Sequence, residues 1–163
     1  MPGAFAVMIR RFEPSDLTAV HALITRTIDV AYSGLYPPRA VGYFKDYHSL
    51  DSILDRATEC EVLVVECDGV LVATGALVED EICGVFVDPQ HQGRGVGSQL
   101  MDRLEALARD SGITAARLYI SLPSRGFYER RGYEVLEFGS LDVGEGEHLD
   151  YWTARKSLAS GGS

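Results

Sequence analysis

The chain has 163 residues, 46% of them hydrophobic and 24% charged, with 15 Lys and Arg against 24 Asp and Glu for a net charge of −9. That length is one ordinary domain whose core can form without disulfides or metals, and the composition excludes a disordered, collagenous or coiled-coil chain. The acidic balance argues against a general nucleic-acid binder, which needs a basic surface to release counterions from phosphates, and suits a cationic partner instead.

No apolar run reaches the ~18 residues of a membrane span, and the start M-P-G-A-F-A-V-M lacks the charged region of a signal peptide. Cys60, Cys67 and Cys83 have neither zinc nor C-x-x-C spacing, so they read as reduced, buried thiols of a cytoplasmic protein with no metal site.

In chain order, Val7 to Phe12 reads as a strand. Ser15 then offers a helix cap, with Asp16 in the first turn and Leu17, Val20, His21, Ile24 and Ile28 at helical spacing. The aromatic stretch Ala31 to Leu50 carries Pro37-Pro38 and predicts a loop and a short helix. Ser49 or Ser52 caps a further helix that ends near Thr58.

Glu61–Cys67, Val70–Val78 and Glu81–Val87 predict three antiparallel strands joined at Asp68-Gly69 and Glu79-Asp80. Asp88-Pro89 ends the third. A helix with an apolar stripe of Val96, Leu100, Leu104, Leu107 and Ala108 follows, stopped by Gly112. Then come a strand, Ala115 to Ser121, and a short helix ended by Gly132. Two last strands follow, Tyr133 to Phe138 and Leu149 to Lys156, split by a Gly-rich acidic loop. Residues 159–163 read as a flexible tail, which leaves 1–158 as a single domain.

The most informative segment is Gln92-Gly93-Arg94-Gly95-Val96-Gly97-Ser98, between a strand and a helix. The free N–H groups of a helix's first turn, with its dipole, make an anion site, and glycines let the backbone come close to a phosphate. Arg94 adds a charge-assisted contact and Ser98 a hydroxyl. The segment lacks the Lys of a P-loop, and its glycine spacing differs from the dinucleotide fingerprint.

Gln92 to Gly97 resembles the [QR]-x-x-G-x-[GA] motif of the GNAT superfamily of acyl-CoA N-acetyltransferases. The lead-in V-F-V-D-P is similar to that family's fourth strand, and Phe127-Tyr128-Glu129-Arg130-Arg131-Gly132-Tyr133 to its F-Y-x-x-x-G-[FY] motif. Order and spacing agree over roughly residues 61 to 138. The resemblance implies an α/β (α+β) fold: a mixed, twisted, mostly antiparallel sheet of about seven strands, flanked by helices, with splayed fourth and fifth strands. Acetyl-CoA would lie in the splay, with its pyrophosphate on the glycine turn.

The resemblance further implies that the backbone around Val85, Phe86 and Val87 pairs with the pantetheine arm and polarises the thioester carbonyl. It implies Tyr128 as general acid to the leaving thiolate. Glu81, eleven residues before Gln92, stands where histone-acetylating members carry a base; the competing reading is a solvated turn carboxylate. Ser121 replaces an Asn that often contacts the cofactor. Arg125, Arg130 and Arg131 either meet the CoA 3′-phosphate or form a solvated helix face. His91 and His148 receive no role, and the aromatic segment Tyr32 to Tyr47 is expected to roof the acceptor site.

The implied activity is transfer of an acetyl group from acetyl-CoA to a primary amine of a small molecule or peptide, by direct attack in a ternary complex. The rival is a GNAT module that senses acyl-CoA without turnover. A monomer or homodimer acting without metal, nucleic acid or membrane completes the expectation.

Overall fold

The computed structural model describes residues 7–159, so the expected tail from residue 160 onward lies outside the described residues. Strand β1 (Val7–Arg11) leads to helices α1 (Leu17–Ala31), α2 (Pro38–Tyr47) and α3 (Leu50–Glu59). Strands β2 (Glu61–Cys67), β3 (Val70–Val78) and β4 (Glu81–Val87) precede helix α4 (Val96–Asp110). Strand β5 (Ala115–Ser121), helix α5 (Arg125–Arg130) and strands β6 (Glu134–Gly144) and β7 (Glu147–Ser157) complete the order.

The strands form one seven-stranded sheet in the order β1-β2-β3-β4-β5-β7-β6. Neighbours are antiparallel except β4 and β5, which are parallel and register at Glu81↔Arg117. Successive residues of β2 are buried on opposite faces, as in a sheet covered on both sides. Val65 joins Leu100, Met101 and Leu104 of α4 on one face. Val64 joins Val20, Ile24 and Ile28 of α1 and Ile53 of α3 on the other. The sheet is thus sandwiched between α4–α5 and α1–α3, which is the expected fold class.

Three local expectations need correcting. The first helix is not entered through Ser15: a short 3-10 turn (Pro14–Asp16) precedes it, and the Asp16 carboxylate accepts from the Glu13 N–H at 2.8 Å and from Arg10 at 2.8 and 2.9 Å. An Arg fork on a carboxylate outcompetes a Ser hydroxyl for organising that turn.

Pro38 opens α2 rather than ending a helix, because a proline at the first helical position gives up an N–H that has no intrahelical partner anyway.

The third correction is larger. The Gly-rich acidic stretch is strand, not loop: β6 and β7 stay in register through Gly139↔Tyr151, Ser140↔Asp150 and Leu141↔Leu149 and turn only at Glu145-Gly146. Gly139 is there for packing, since a Cβ on it would sit 2.3 Å from Cζ of Tyr151. Composition mistook a strand glycine under a tyrosine ring for a loop glycine.

Candidate active site

The site begins at a defect in β4. Ala76 pairs with Cys83 and Thr74 with Phe86, so Gly84 and Val85 together oppose Gly75 in a β-bulge. Gly84 takes φ +61°, a left-handed conformation that costs a side-chain-bearing residue strain. The bulge bends β4 away from β5 just past their single registered pair. The resulting cleft holds about 500 Å³ and is lined by Glu81 to Phe86 on one side and by Tyr119, Ser121 and Tyr128 on the other. Beyond Glu81 the β5-facing edge of β4, including Val85 and Val87, has no registered partner among the described residues. Such an edge can pair with an extended ligand arm.

At the C-terminal end of β4 the Asp88 carboxylate accepts from the Gln90 N–H at 2.9 Å and pairs with Arg26 of α1. The Gln92 side-chain amide donates to the Val87 carbonyl at 2.9 Å and ties the turn to the strand. Gly93 and Gly95 have φ of +79° and +80°, and a Cβ on either would meet nothing, so open space lies above the turn. Gly95 caps α4, and the N–H groups of Val96, Gly97 and Ser98 form its first turn. Val96 itself is buried in the core, which leaves only its backbone for a ligand. Gly97 serves packing: its missing Cβ makes room for the Phe127 ring, 3.3 Å away. Arg94 is exposed on the same turn.

Tyr128 reaches the cleft from α5 and is buried, its ring edge-on to Phe127 and Tyr133. Burial raises its phenol above the ordinary tyrosine value, with Tyr32 adding to the effect. It therefore stays protonated and able to donate at any physiological pH. Ser121, where β5 ends, accepts from the Tyr32 hydroxyl at 3.0 Å and bonds Ser124 at 2.9 Å. The Tyr36 hydroxyl donates to the Asp150 carbonyl at 2.8 Å and accepts from the Leu122 N–H at 2.9 Å. Tyr36 thus ties the end of β5 to β7, and Tyr32, bonded to Ser121, lines the cleft.

Glu81 lines the same cleft. Burial raises its carboxyl above the ordinary value and Asp80 adds to the rise, while Arg117 and Arg56 pull the other way. Arg117 itself is engaged by Asp80 at 2.8 to 3.1 Å. His48 is buried against the Phe86 ring, and burial with the Arg56 charge pushes its imidazole down to about 3, so it is neutral. Burial pushes the Cys83 thiol up to about 11, which makes it a poor nucleophile at neutral pH.

The turn residues Gln92 to Ser98 are contiguous along the entry to α4, and Glu81, Val85, Phe86, Ser121 and Tyr128 all line the cleft. Phe86 does so as a core residue, 5% exposed. Arg131 is not a free phosphate contact: it pairs with Asp102 at 2.8 Å and with buried Glu105 at 3.3 Å. Arg125 lies over the Trp152 ring. The sequence reading missed Tyr32, Tyr36, His48 and Arg56 as individual site residues. Their signal was the aromatic density between 32 and 47, which suggested a roof without saying which ring bonds to what.

A model of the acetyltransferase (GNAT) family matches residues 22–133. Spermidine N(1)-acetyltransferase of Escherichia coli K12 is 30% identical over 125 residues, which are 73% of this chain and 63% of that enzyme. The crystal structure of a GCN5-related N-acetyltransferase from Rhodopseudomonas palustris superimposes with a TM-score of 0.84 at 25% identity, covering 92% of this chain and 94% of that one. The PaiA N-acetyltransferase of Thermoplasma acidophilum, crystallised with coenzyme A, shares the fold at 17% identity and TM-score 0.72, covering 93% and 99%.

Proposed function

Because the chain belongs to the GNAT family of acetyltransferases, we propose that it is a cytoplasmic N-acetyltransferase, with residues 1–158 as its transferase domain, that moves the acetyl group of acetyl-CoA to a primary amine by direct attack in a ternary complex. The observation that carries this reading is the parting of β4 and β5, which puts the open strand edge at Val85 in one cleft with Tyr128 and Glu81, while the same strand runs on through the glycine turn into the α4 N-terminus.

In this reading the pyrophosphate of acetyl-CoA takes the N–H groups of the Gly95–Ser98 turn, with Gln92 and Gly93 shaping the approach and Arg94 adding charge. The pantetheine arm pairs with the open edge at Val85 and Val87. A protein of the same fold was crystallised in complex with coenzyme A, which supports coenzyme A as the kind of ligand. The acceptor arrives as an ammonium ion, for which half-buried Glu81 is both counter-charge and proton acceptor. The freed amine attacks the thioester carbonyl carbon, and an N–H at the bulge stabilises the developing oxyanion.

As the C–S bond breaks, the thiolate takes the Tyr128 proton. The nitrogen loses its second proton as the amide forms. Tyr128 is reprotonated, and the net release is one proton. Direct attack fits a cleft whose only lining thiol among the described residues, Cys83, is held protonated.

The rival, a sensor without turnover, has no use for a buried, protonated phenol at the thioester position, and Tyr128 therefore favours the enzyme. The test is release of free CoA thiol in the presence of an amine panel that includes spermidine, the named acceptor of the 30% identical relative. Thiol release that depends on the amine, with the N-acetyl product seen by mass spectrometry, is expected. Acetyl-CoA binding without release across the panel would select the sensor.

A further inference from the structure

Glu81 lines the cleft, and Arg56 stands just behind that lining, against the cleft residues Tyr47, His48 and Gly84; the two opposite charges form no ion pair with each other. Arg56 extends from α3 across the β4 bulge, with Nη1 3.0 Å from the position of a Cβ at Gly84, a cleft-lining residue. Its partners are Nδ1 of His48, 3.4 Å from both terminal nitrogens, and the Tyr47 ring, 5.7 Å away. Neither carries negative charge, since the buried His48 imidazole is neutral. Among the described residues no carboxylate forms an ion pair with Arg56, and the Glu81 carboxylate has neither ion pair nor hydrogen bond. Burial raises the Glu81 carboxyl, and the pull against that rise comes first from Arg117, which Asp80 already holds, and then from Arg56.

Half-burying two charges without pairing them costs free energy that a ligand bridging both would recover. Other half-buried charges are paired, such as Arg10 with Asp16 and Glu66, and Lys156 with Glu105.

We infer that the acceptor is a zwitterion, a small amino acid or amino-acid-like amine whose ammonium faces Glu81 and whose carboxylate is bound by Arg56. A planar guanidinium is suited to a carboxylate because it offers parallel N–H donors in a fork. His48, as a neutral acceptor at Nδ1, orients that fork without quenching its charge. The cleft wall also carries Tyr43, Phe44, Tyr119, Leu141 and Tyr151, which suits an apolar or aromatic side chain. This inference rests on the transferase reading of the same cleft, and it narrows the acceptor from amines in general to amines that carry an acidic group next to the nitrogen.

The experiment compares acceptors that differ by the carboxylate alone: phenylalanine with phenethylamine, tyrosine with tyramine and leucine with isopentylamine. For the wild type, kcat/KM for the amino acid is expected to exceed that for its decarboxylated partner by at least ~tenfold, or about 1.4 kcal/mol. Arg56→Gln is expected to collapse that ratio toward one through a rise in KM for the amino acid, and Arg56→Lys to restore part of it. The acetyl-CoA dissociation constant reports that each variant is folded.

Amines turned over without preference for the carboxylate, or a ratio unchanged in Arg56→Gln, would overturn the inference and leave the transferase reading standing. Should no acceptor be turned over, calorimetry with phenylalanine alone still decides it. Binding by the wild type that is lost in Arg56→Gln supports the zwitterion site, and absence of binding overturns it. The transferase reading fails separately, by the absence of acetyl-CoA binding.

Discussion

The two halves of the cleft are made of different material. The half formed by β4, the glycine turn and α4 is built from backbone: a bulge at Gly84, two left-handed glycines at 93 and 95, and the first N–H groups of a helix. The half formed by α1–α3 and the β6–β7 hairpin is built from side chains that meet across the fold, such as Tyr36 with Asp150 and Leu122, and Arg56 with His48 over Gly84. A backbone site constrains residue type, because only glycine is comfortable at those angles. A side-chain site constrains pairs of residues far apart in the chain. The first can serve a ligand common to many proteins, and the second is where a particular acceptor is chosen.

The largest effect that would break this division belongs to Tyr128, which stands between the halves. Tyr128→Phe keeps the ring in its edge-on contacts with Phe127 and Tyr133 and removes only the hydroxyl. Loss of a positioned acid costs ~10²–10⁴ in rate, so kcat is expected to fall by that factor with acetyl-CoA affinity nearly unchanged. The defect is expected to shrink as pH rises through about 8.5, the ordinary thiol range, where CoA leaves unprotonated. Wild-type kcat at pH 7 with chemistry rate-limiting would make Tyr128 a core residue.

The next effect tests the backbone half alone. Gly95→Val puts a β-branched residue at φ +80°. Strain at such a position is about 1–3 kcal/mol, and its relief moves the turn that should hold the pyrophosphate. Acetyl-CoA affinity is expected to drop at least ~tenfold. Calorimetry on a folded variant checks it, and unchanged affinity would remove the phosphate from this turn.

The same division explains what was legible in the sequence. The glycines of the turn, the two-residue turn at Asp68-Gly69 and the stripe on α4 are local, and each appeared as a pattern within a few residues. So did the Tyr128 motif. The bulge at Gly84 was invisible because one glycine in a strand says nothing about register until Ala76 is seen opposite Cys83. The β6–β7 hairpin read as loop because its glycines serve a ring on the neighbouring strand. His48 and Arg56 lay in segments with no motif at all, and only the contacts of His48 with Phe86 and of Arg56 with Gly84 give them a meaning.

A smaller effect sharpens the side-chain half through its buried histidine. His48 has its folded value lowered from 6.5 to about 3, so the unfolded chain binds a proton there that the folded chain refuses. By linkage the stability attributable to a neutral His48 is fully present above about 6.5 and is lost as pH falls toward 3. Between pH 7 and pH 6 the loss is about 0.7 kcal/mol, and it steepens toward about 1.4 kcal/mol per unit below that. Urea denaturation of His48→Gln at the same pH values is expected to give a flatter profile than wild type. Parallel profiles would mean that His48 is hydrated and charged.

The smallest effect concerns Glu81, and its sign is what makes it useful. Burial, the first cause, raises its folded carboxyl value. The folded chain therefore holds a proton that the unfolded chain releases, and stability falls as pH rises through the gap between the two values. Glu81→Gln removes that loss. At pH 7 the variant is expected to melt higher than wild type, and below the ordinary carboxylate range, where Glu81 is protonated in both states, the difference should vanish. The gain is small, on the order of 1 °C, because the group is half exposed and screened by solvent. Activity should move the opposite way, since the ammonium loses its counter-charge and its base. A variant that is more stable and less active marks a residue kept at a stability cost for its chemistry. A solvated turn carboxylate predicts neither change, and a structural one predicts lower stability. Thermal melts at pH 3 and pH 7, set beside kcat/KM for the best acceptor, separate the three.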